Sequence, residues 1–504
     1  MTRDRLWTLL AVLLPVLGAT IAPISTVDLA YQVRVGDLMR ASGAVLRADP
    51  LTFTAAGQAW LNQQWGTGVL LSLGYEVGGW AGLALLRALL VGLAVGLVFW
   101  TARRWLPVRP AAGVALVAFV VGIGALALRA QLFGIVCFVL VIALLADRRA
   151  RPRLAFVVPL VVLAWANLHG SFFLGVGAAA LAFLADLRAP TPVMRRSLVL
   201  LVLTAAASVL TPFGPGSWSY AVGLSTNGDV ARLVSEWQRT SPLSLAGGLF
   251  YLTVLVAALV LVAARRREWR WPSAPGMLWL GGLIVVGVWA ERGVVWWAFG
   301  APVVLAPALA RLAAHGFRTE VSTQATAGPD IARPVRPTRP EPAGLRRLNL
   351  GIGVALGLLV VLLQPIWRPS ATLAGPDGLL LDAPVGLATA MRNAGSPSDR
   401  AVVPQRWASW FEWAAPGVPV MVDSRIEVVP PSAWADYLVI AAGGPGTLET
   451  LARIRASLVV VDRREEGVLL RTLEAPDSGW RAVAEDEDGA VFRPTSTAGG
   501  WKGQ

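Results

Sequence analysis

Residues 6–28, LWTLLAVLLPVLGATIAPISTVD, decide the fold. Positions 6–24 carry no charge, Arg3 and Arg5 precede them, and a carboxylate, Asp28, follows within four residues. The run exceeds the 7–15-residue core of a cleaved signal peptide and approaches the roughly 20 residues that cross a bilayer, so it reads as a first membrane-spanning helix. A charge this close to the end of a span costs free energy unless it has a partner or a task. Asp28 either pairs with Arg34, caps a helix starting near Leu29, or serves as a base at the membrane surface.

Apolar runs recur at 81–100, 110–128, 130–146, 153–168, 171–187, 197–211, 244–264, 274–290, 293–313 and 347–366, which predicts about 11 transmembrane helices. The stretch 66–78 holds Glu76 and several glycines and is expected to lie along the membrane surface. Of the 504 residues, 55% are apolar and only 15% charged, which excludes a soluble multidomain enzyme and a disordered chain. A lone cysteine, Cys137, excludes an internal disulfide, and two histidines, His169 and His315, exclude a His-rich metal site.

The net charge of +13 does not point to nucleic acid. Residues 1–367 hold 31 basic and 14 acidic side chains, whereas 368–504 hold 13 and 17, so the excess travels with the membrane part. Arg-rich loops around Arg103, Arg148, Arg195 and Arg265 alternate with acidic or neutral ones, which places the N-terminus in the cytoplasm of a plasma (inner) membrane protein. The expected organisation is a transmembrane part at 1–313 with an outer loop at 25–66, a cytoplasmic Pro/Arg-rich linker at 314–346, and a last span at 347–366. A small extracytoplasmic α/β domain follows at 367–504, with β-rich runs at 418–422 and 458–461, helices at 384–394 and 446–456, and a closing hairpin in GWRAVAEDEDGAVFRP. That domain is expected to bury its own core and to cap a cavity over the first loop, with Asp423 and Arg425 as a structural pair.

Candidate chemistry gathers on the outer side: Asp28 and Asp49-Pro50 in the first loop, Asn167 and His169 between two spans, Glu236 in a second loop, and Arg129 and Arg292 near the bundle. Arginine suits bidentate phosphate binding. No nucleotide-binding or hydrolase motif occurs, so energy must come from an activated substrate or a gradient.

The first loop resembles a pattern of bacterial multispanning proteins related to the GT-C fold glycosyltransferases, which use polyprenyl-phosphate sugars. The matching residues are Asp28, Leu29, Arg34 and Gly36, then Asp49, Pro50, Thr52, Phe53 and Thr54, then Trp60 and Trp65. The likeness continues through Ala166–Phe172, Glu236-Trp237, Arg292 and PGVPVMVDSR at 416–425. Gln32 and Gln64 depart from it, standing where relatives often have His and Glu. The resemblance implies a polytopic α-helical, GT-C-like enzyme that moves a sugar from a polyprenyl-phosphate donor to a glycan, lipid or protein acceptor of the cell envelope, with inversion. Asp28 would be the general base, with Glu236 as its rival. Arg129, Arg292 and His169 would bind the donor phosphate, and Arg34, Asp49, Trp60, Trp65 and Asn167 would support the acceptor loop. No cofactor is implied, and a divalent metal is not indicated. The competing expectation is a non-catalytic transporter, flippase or scaffold for lipid-linked glycans. It calls for charges or helix breaks near the bilayer midplane, and the sequence offers only Arg87, near the outer end of the second span, and little else at depth, which argues against it.

Overall fold

The computed structural model describes residues 1–267, 272–319, 341–370 and 372–495. Among them, five helices are long and apolar enough to cross a membrane: α1 (Arg3–Ile21), the helix Trp65–Ala102, the stretch Val108–Ala125, Leu245–Arg266 and Ala343–Leu362. A sixth is made by two helices bent by 47° between Gly300 and Pro302. Four shorter apolar helices, Ala130–Ala146, Pro152–Leu168, Gly170–Asp186 and Ala274–Trp289, complete the apolar set. The chain is a multi-pass membrane protein. Most of the expected linker lies outside the described residues. Its flanks are helical: Pro302–Thr319 runs past 313, and the last apolar helix starts at Ala343 rather than 347.

The first loop opens with α2 (Leu29–Ser42), which starts directly after Asp28 and ends at Gly43 in the left-handed region. The helix α3 (Trp65–Ala102) is broken at Gly79 (φ 57°, ψ −154°), a conformation that a side chain would strain. The break separates 65–78 from 80–102. It also delivers Trp80 to an aromatic cluster with Tyr75 and Trp413, each at a centroid distance of 4.9 Å, and Trp410 at 6.0 Å. Arg87, buried on α3, donates to the carbonyls of Ala19, Ala22 and Pro23 at the end of α1. Those carbonyls lack intrahelical partners, so this intramembrane charge closes a helix end.

Two short strands, β1 (Ile24–Ser25) and β2 (Leu380–Leu381), pair in parallel and tie the exit of α1 to the C-terminal portion. There β3 (Ala401–Val402), β4 (Leu458–Asp462), β5 (Trp480–Glu485) and β6 (Gly489–Pro494) form a sheet of order β3-β4-β6-β5, and β5–β6 is the expected hairpin. The helices at Val385–Ala394 and Thr447–Arg453 match their sequence patterns. The expected strand at 418–422 does not form. Val420 makes only single parallel bridges, to Thr52 and Ala401, because the first loop lies alongside it. Phe53 N–H donates to Val420 O at 3.0 Å and Val420 N–H to Leu51 O at 3.2 Å.

The C-terminal portion also shares its core. One apolar cluster runs from Val33, Leu71 and Trp80 into Trp407, Trp410, Phe411, Val460 and Val491. A second cluster, around Met421, Ile440, Val459 and Phe492, also takes in Val230, with Phe53, Leu224, Leu233 and Trp237 packed against it from the loops. The helix Gln405–Ala414 lies on α2, where the Tyr31 N–H donates to Ser409 Oγ at 2.7 Å. The sheet is therefore anchored to the membrane helices by tryptophan burial, which carries large apolar area per residue.

Candidate functional site

A cavity of about 320 Å³ lies between the helix ends and the C-terminal portion, and five residues singled out from sequence line it: Asp28, Arg129, His169, Glu236 and Arg292. Each stands at a helix boundary or in a short turn between helices. Asp28 precedes α2, and Arg129, in extended backbone, precedes Ala130–Ala146. His169 separates Val158–Leu168 from the turn Gly170–Phe172, while Glu236 and Arg292 sit in the turns Ser235–Trp237 and Glu291–Gly293. Helix ends are where polar groups are tolerated beside apolar spans, and their convergence makes a polar chamber.

Arg129 organises it. Its Nη2 donates to both oxygens of Glu236, at 2.9 and 2.7 Å, and its Nη1 meets Asp28 Oδ2 once, at 3.4 Å. The Asp28 carboxylate does not cap α2, and Arg34 is half-buried and absent from the cavity wall, so neither local role expected for Asp28 is realised. Arg292 stacks over Trp237 with Cζ 4.4 Å from the ring centre. Gln131 Nε2 donates to the Arg292 carbonyl at 3.3 Å.

His169 is held well below its ordinary pKa by burial first and then by the positive charges of Arg292 and Arg129. Its Nδ1 accepts from the Ser171 N–H at 3.2 Å, so the neutral ring keeps its proton on Nε2. At neutral pH His169 offers a hydrogen bond rather than a charge.

Asp49, Trp60, Trp65 and Asn167 frame the cavity without lining it, whereas Gln32, Gln64 and Arg425 are part of its wall. Trp65 Nε1 donates to Asn167 Oδ1 at 2.9 Å, and Gln63 Nε2 to the Ala166 carbonyl at 2.8 Å, which pins the end of the first loop to the turn that carries His169. Asp49 accepts from the Thr52 N–H at 3.0 Å and meets Arg425 at 2.7 Å. Arg425 also donates through Nε to Asp423 at 2.7 Å and lies over Trp60 at 4.5 Å. The Asp423–Arg425 pair thus extends across to the first loop. Gln32 and Gln64 hydrogen-bond to each other at 2.8 Å on the cavity wall, a neutral pair.

Sequence reasoning missed Tyr31, Gln131, Tyr220, Ser424 and Glu427, all of which line the cavity. The Tyr220 hydroxyl donates to Glu427 Oε1 at 2.6 Å. Burial raises the pKa of both groups. Glu427 lies two residues beyond the quoted PGVPVMVDSR and could have been found by extending it; nothing local marks Tyr220.

A narrow slot of about 60 Å³ shares Arg129, Glu236 and Arg292 with the main cavity. Val121 lines both the slot and a separate groove of about 280 Å³, which is also lined by Val114, Val117, Ala257, Val260, Trp297 and Leu305. An almost wholly apolar groove, between the helices Val108–Gly122 and Leu245–Arg266, thus lies beside the slot that borders the polar chamber.

No family model and no curated protein matches the chain. Among solved structures, it is similar to the Archaeoglobus fulgidus oligosaccharyltransferase, crystallised with a disulfide-tethered acceptor peptide containing the NVT sequon. The TM-score is 0.51 at 11% identity, over 90% of this chain and 68% of that one. At this identity the likeness concerns the fold, which agrees with the GT-C-like architecture that the first-loop resemblance implies.

Proposed function

We propose that this protein is an integral-membrane glycosyltransferase that moves a sugar from a polyprenyl-phosphate donor to an extracytoplasmic acceptor, with inversion. The observation that carries this reading is the placement of Asp28 in the same cavity as Arg129 and Arg292, with an apolar groove close by. A polyprenyl-phosphate sugar has that polarity: an anionic phosphate and a hydroxylated sugar at one end, a long apolar chain at the other. In this reading the cavity opens to the extracytoplasmic side and eleven spans carry the chain, with the N-terminus in the cytoplasm.

The acceptor oxygen attacks the anomeric carbon as Asp28 takes its proton. The new carbon–oxygen bond forms while the bond to the phosphate oxygen breaks, and that electron pair leaves with the polyprenyl phosphate. Arg129 and Arg292 offset the charge growing on the leaving group, and His169 donates from Nε2. Asp28 is favoured over Glu236 as the base because Glu236 is held by a bidentate pair with Arg129, whereas Asp28 has a single longer contact.

The test is transfer by the purified, reconstituted protein from radiolabelled polyprenyl-phosphate sugars. Wild-type transfer lost in Asp28→Asn supports the assignment; full activity in Asp28→Asn with none in Glu236→Gln transfers the role to Glu236. Absence of turnover with every donor refutes the reading.

A further inference from the structure

Against the main cavity, and chemically opposite to the apolar groove, lies a second polar space. Leu233, Gln405 and Ile426 are shared with a cavity of about 240 Å³ inside the C-terminal portion. That space is lined by Arg406, Trp434, Tyr437, Asp462, Glu465 and Glu466. The Glu427–Tyr220 pair lines the main cavity, Glu427 next in sequence to the shared Ile426, and the Gln405 backbone N–H donates to the Tyr437 hydroxyl at 2.7 Å. Gln32 and Ser424 line the main cavity with Oε1 and Oγ unpartnered among the described residues.

We infer that this polar space is the acceptor subsite, that the acceptor is a neutral saccharide, and that Glu427 with Tyr220 holds its reacting hydroxyl toward Asp28. The inference rests on the transferase reading above. A sugar hydroxyl both donates and accepts, and the cavity wall supplies both functions: carboxylate, amide and Tyr220 hydroxyl oxygens accept, while the unpartnered Ser424 hydroxyl donates. Trp434 and Tyr437 supply aromatic surface for the apolar faces of a sugar ring. Three carboxylates against one guanidinium disfavour an anionic glycan. The two spaces divide the substrates: the lipid chain lies in the apolar groove and the glycan chain in the polar space.

The experiment measures binding to the full-length protein in lipid nanodiscs. The probes are a panel of neutral oligosaccharides (arabinans, galactans, mannans), an Asn-Val-Thr peptide, and polyprenyl monophosphate. The expected result is that at least one oligosaccharide binds. Glu427→Gln and Tyr220→Phe each weaken it tenfold or more, while polyprenyl-phosphate affinity changes less than twofold. Binding of the peptide alone, of no oligosaccharide, or of oligosaccharide with equal affinity by both variants overturns the inference. If Glu427→Gln fails to fold in a melting assay, Tyr220→Phe, which removes one hydroxyl, decides. Oligosaccharide bound by wild type and lost in the variants, with no transfer from any donor, keeps the subsite and refutes the transferase reading alone.

Discussion

Two arginines in this molecule are each surrounded by carboxylates, and their settings differ. Arg425 meets Asp49, Asp423 and Glu412, with every one of these side chains at most 2% exposed. Arg129 meets Asp28 and Glu236, which remain 33% and 39% exposed on an open cavity. The first cluster clasps the first loop to the C-terminal portion. Arg425 is closely paired with Asp423 and Asp49, and burial pushes the neighbouring Glu412 carboxyl well above the usual range. The second leaves acceptor lone pairs and cationic charge facing space large enough for a substrate. Buried ion pairs rich in partners are structural; the same residues with free faces can act on a ligand.

This contrast can be broken by exchange of single groups. The largest effect is expected at the open cluster: Asp28→Asn lowers transfer about 10²–10⁴-fold without changing the melting temperature, as loss of a general base does. Stability loss without loss of specific activity would invert the comparison. At the closed cluster the expectation is reversed. Asp49→Asn or Asp423→Asn destabilises by about 3–5 kcal/mol, because a buried guanidinium loses a partner, while surviving folded protein keeps its turnover. Thermal unfolding in detergent beside a per-molecule rate separates the two.

A smaller effect sharpens the role of the open side. Arg292→Lys gives up the planar stack on Trp237 and the guanidinium fork, and is expected to weaken polyprenyl-phosphate binding about tenfold with the fold unchanged. The smallest effect concerns Glu466, which is neither fully closed nor open. Burial is the main cause lifting its pKa to about 7, with the nearby Asp462 and Glu465 adding to it and Arg406 opposing. Because the folded value exceeds the unfolded one, the folded state binds the extra proton. Its stability advantage is complete below about 4.5 and is lost as pH rises through 7. Glu466→Gln is expected to flatten that slope, gaining on the order of 1 kcal/mol over wild type at pH 8. An unchanged pH profile of melting would place Glu466 with the exposed carboxylates.

The five candidate site residues were legible because each is a polar group at the edge of an apolar run or in a loop between two such runs, where burial without purpose is costly. Glu427 and Tyr220 were not, since both lie in segments whose local pattern fits ordinary loop and helix. Their importance comes from meeting across 207 positions. The run at 418–422 has strand composition and forms no strand, because its backbone is taken by Leu51 and Phe53 of the first loop. The C-terminal portion looked self-contained by length, yet Trp80, Trp407 and Trp410 weld it to the membrane helices.

The sequence by itself determined the membrane class, the helix ends that carry charge and the closing hairpin, because transfer free energy and turn chemistry act over a few consecutive residues. Only the tertiary structure decided that Arg425 is locked among fully buried carboxylates while the partners of Arg129 stay exposed on the cavity that both arginines line. It also decided that Asp28 turns to Arg129 rather than Arg34, and that the chamber has both an apolar groove and a polar space beside it. Those outcomes depend on which distant segments share space, and the local alternation of apolar and polar residues carries no record of that.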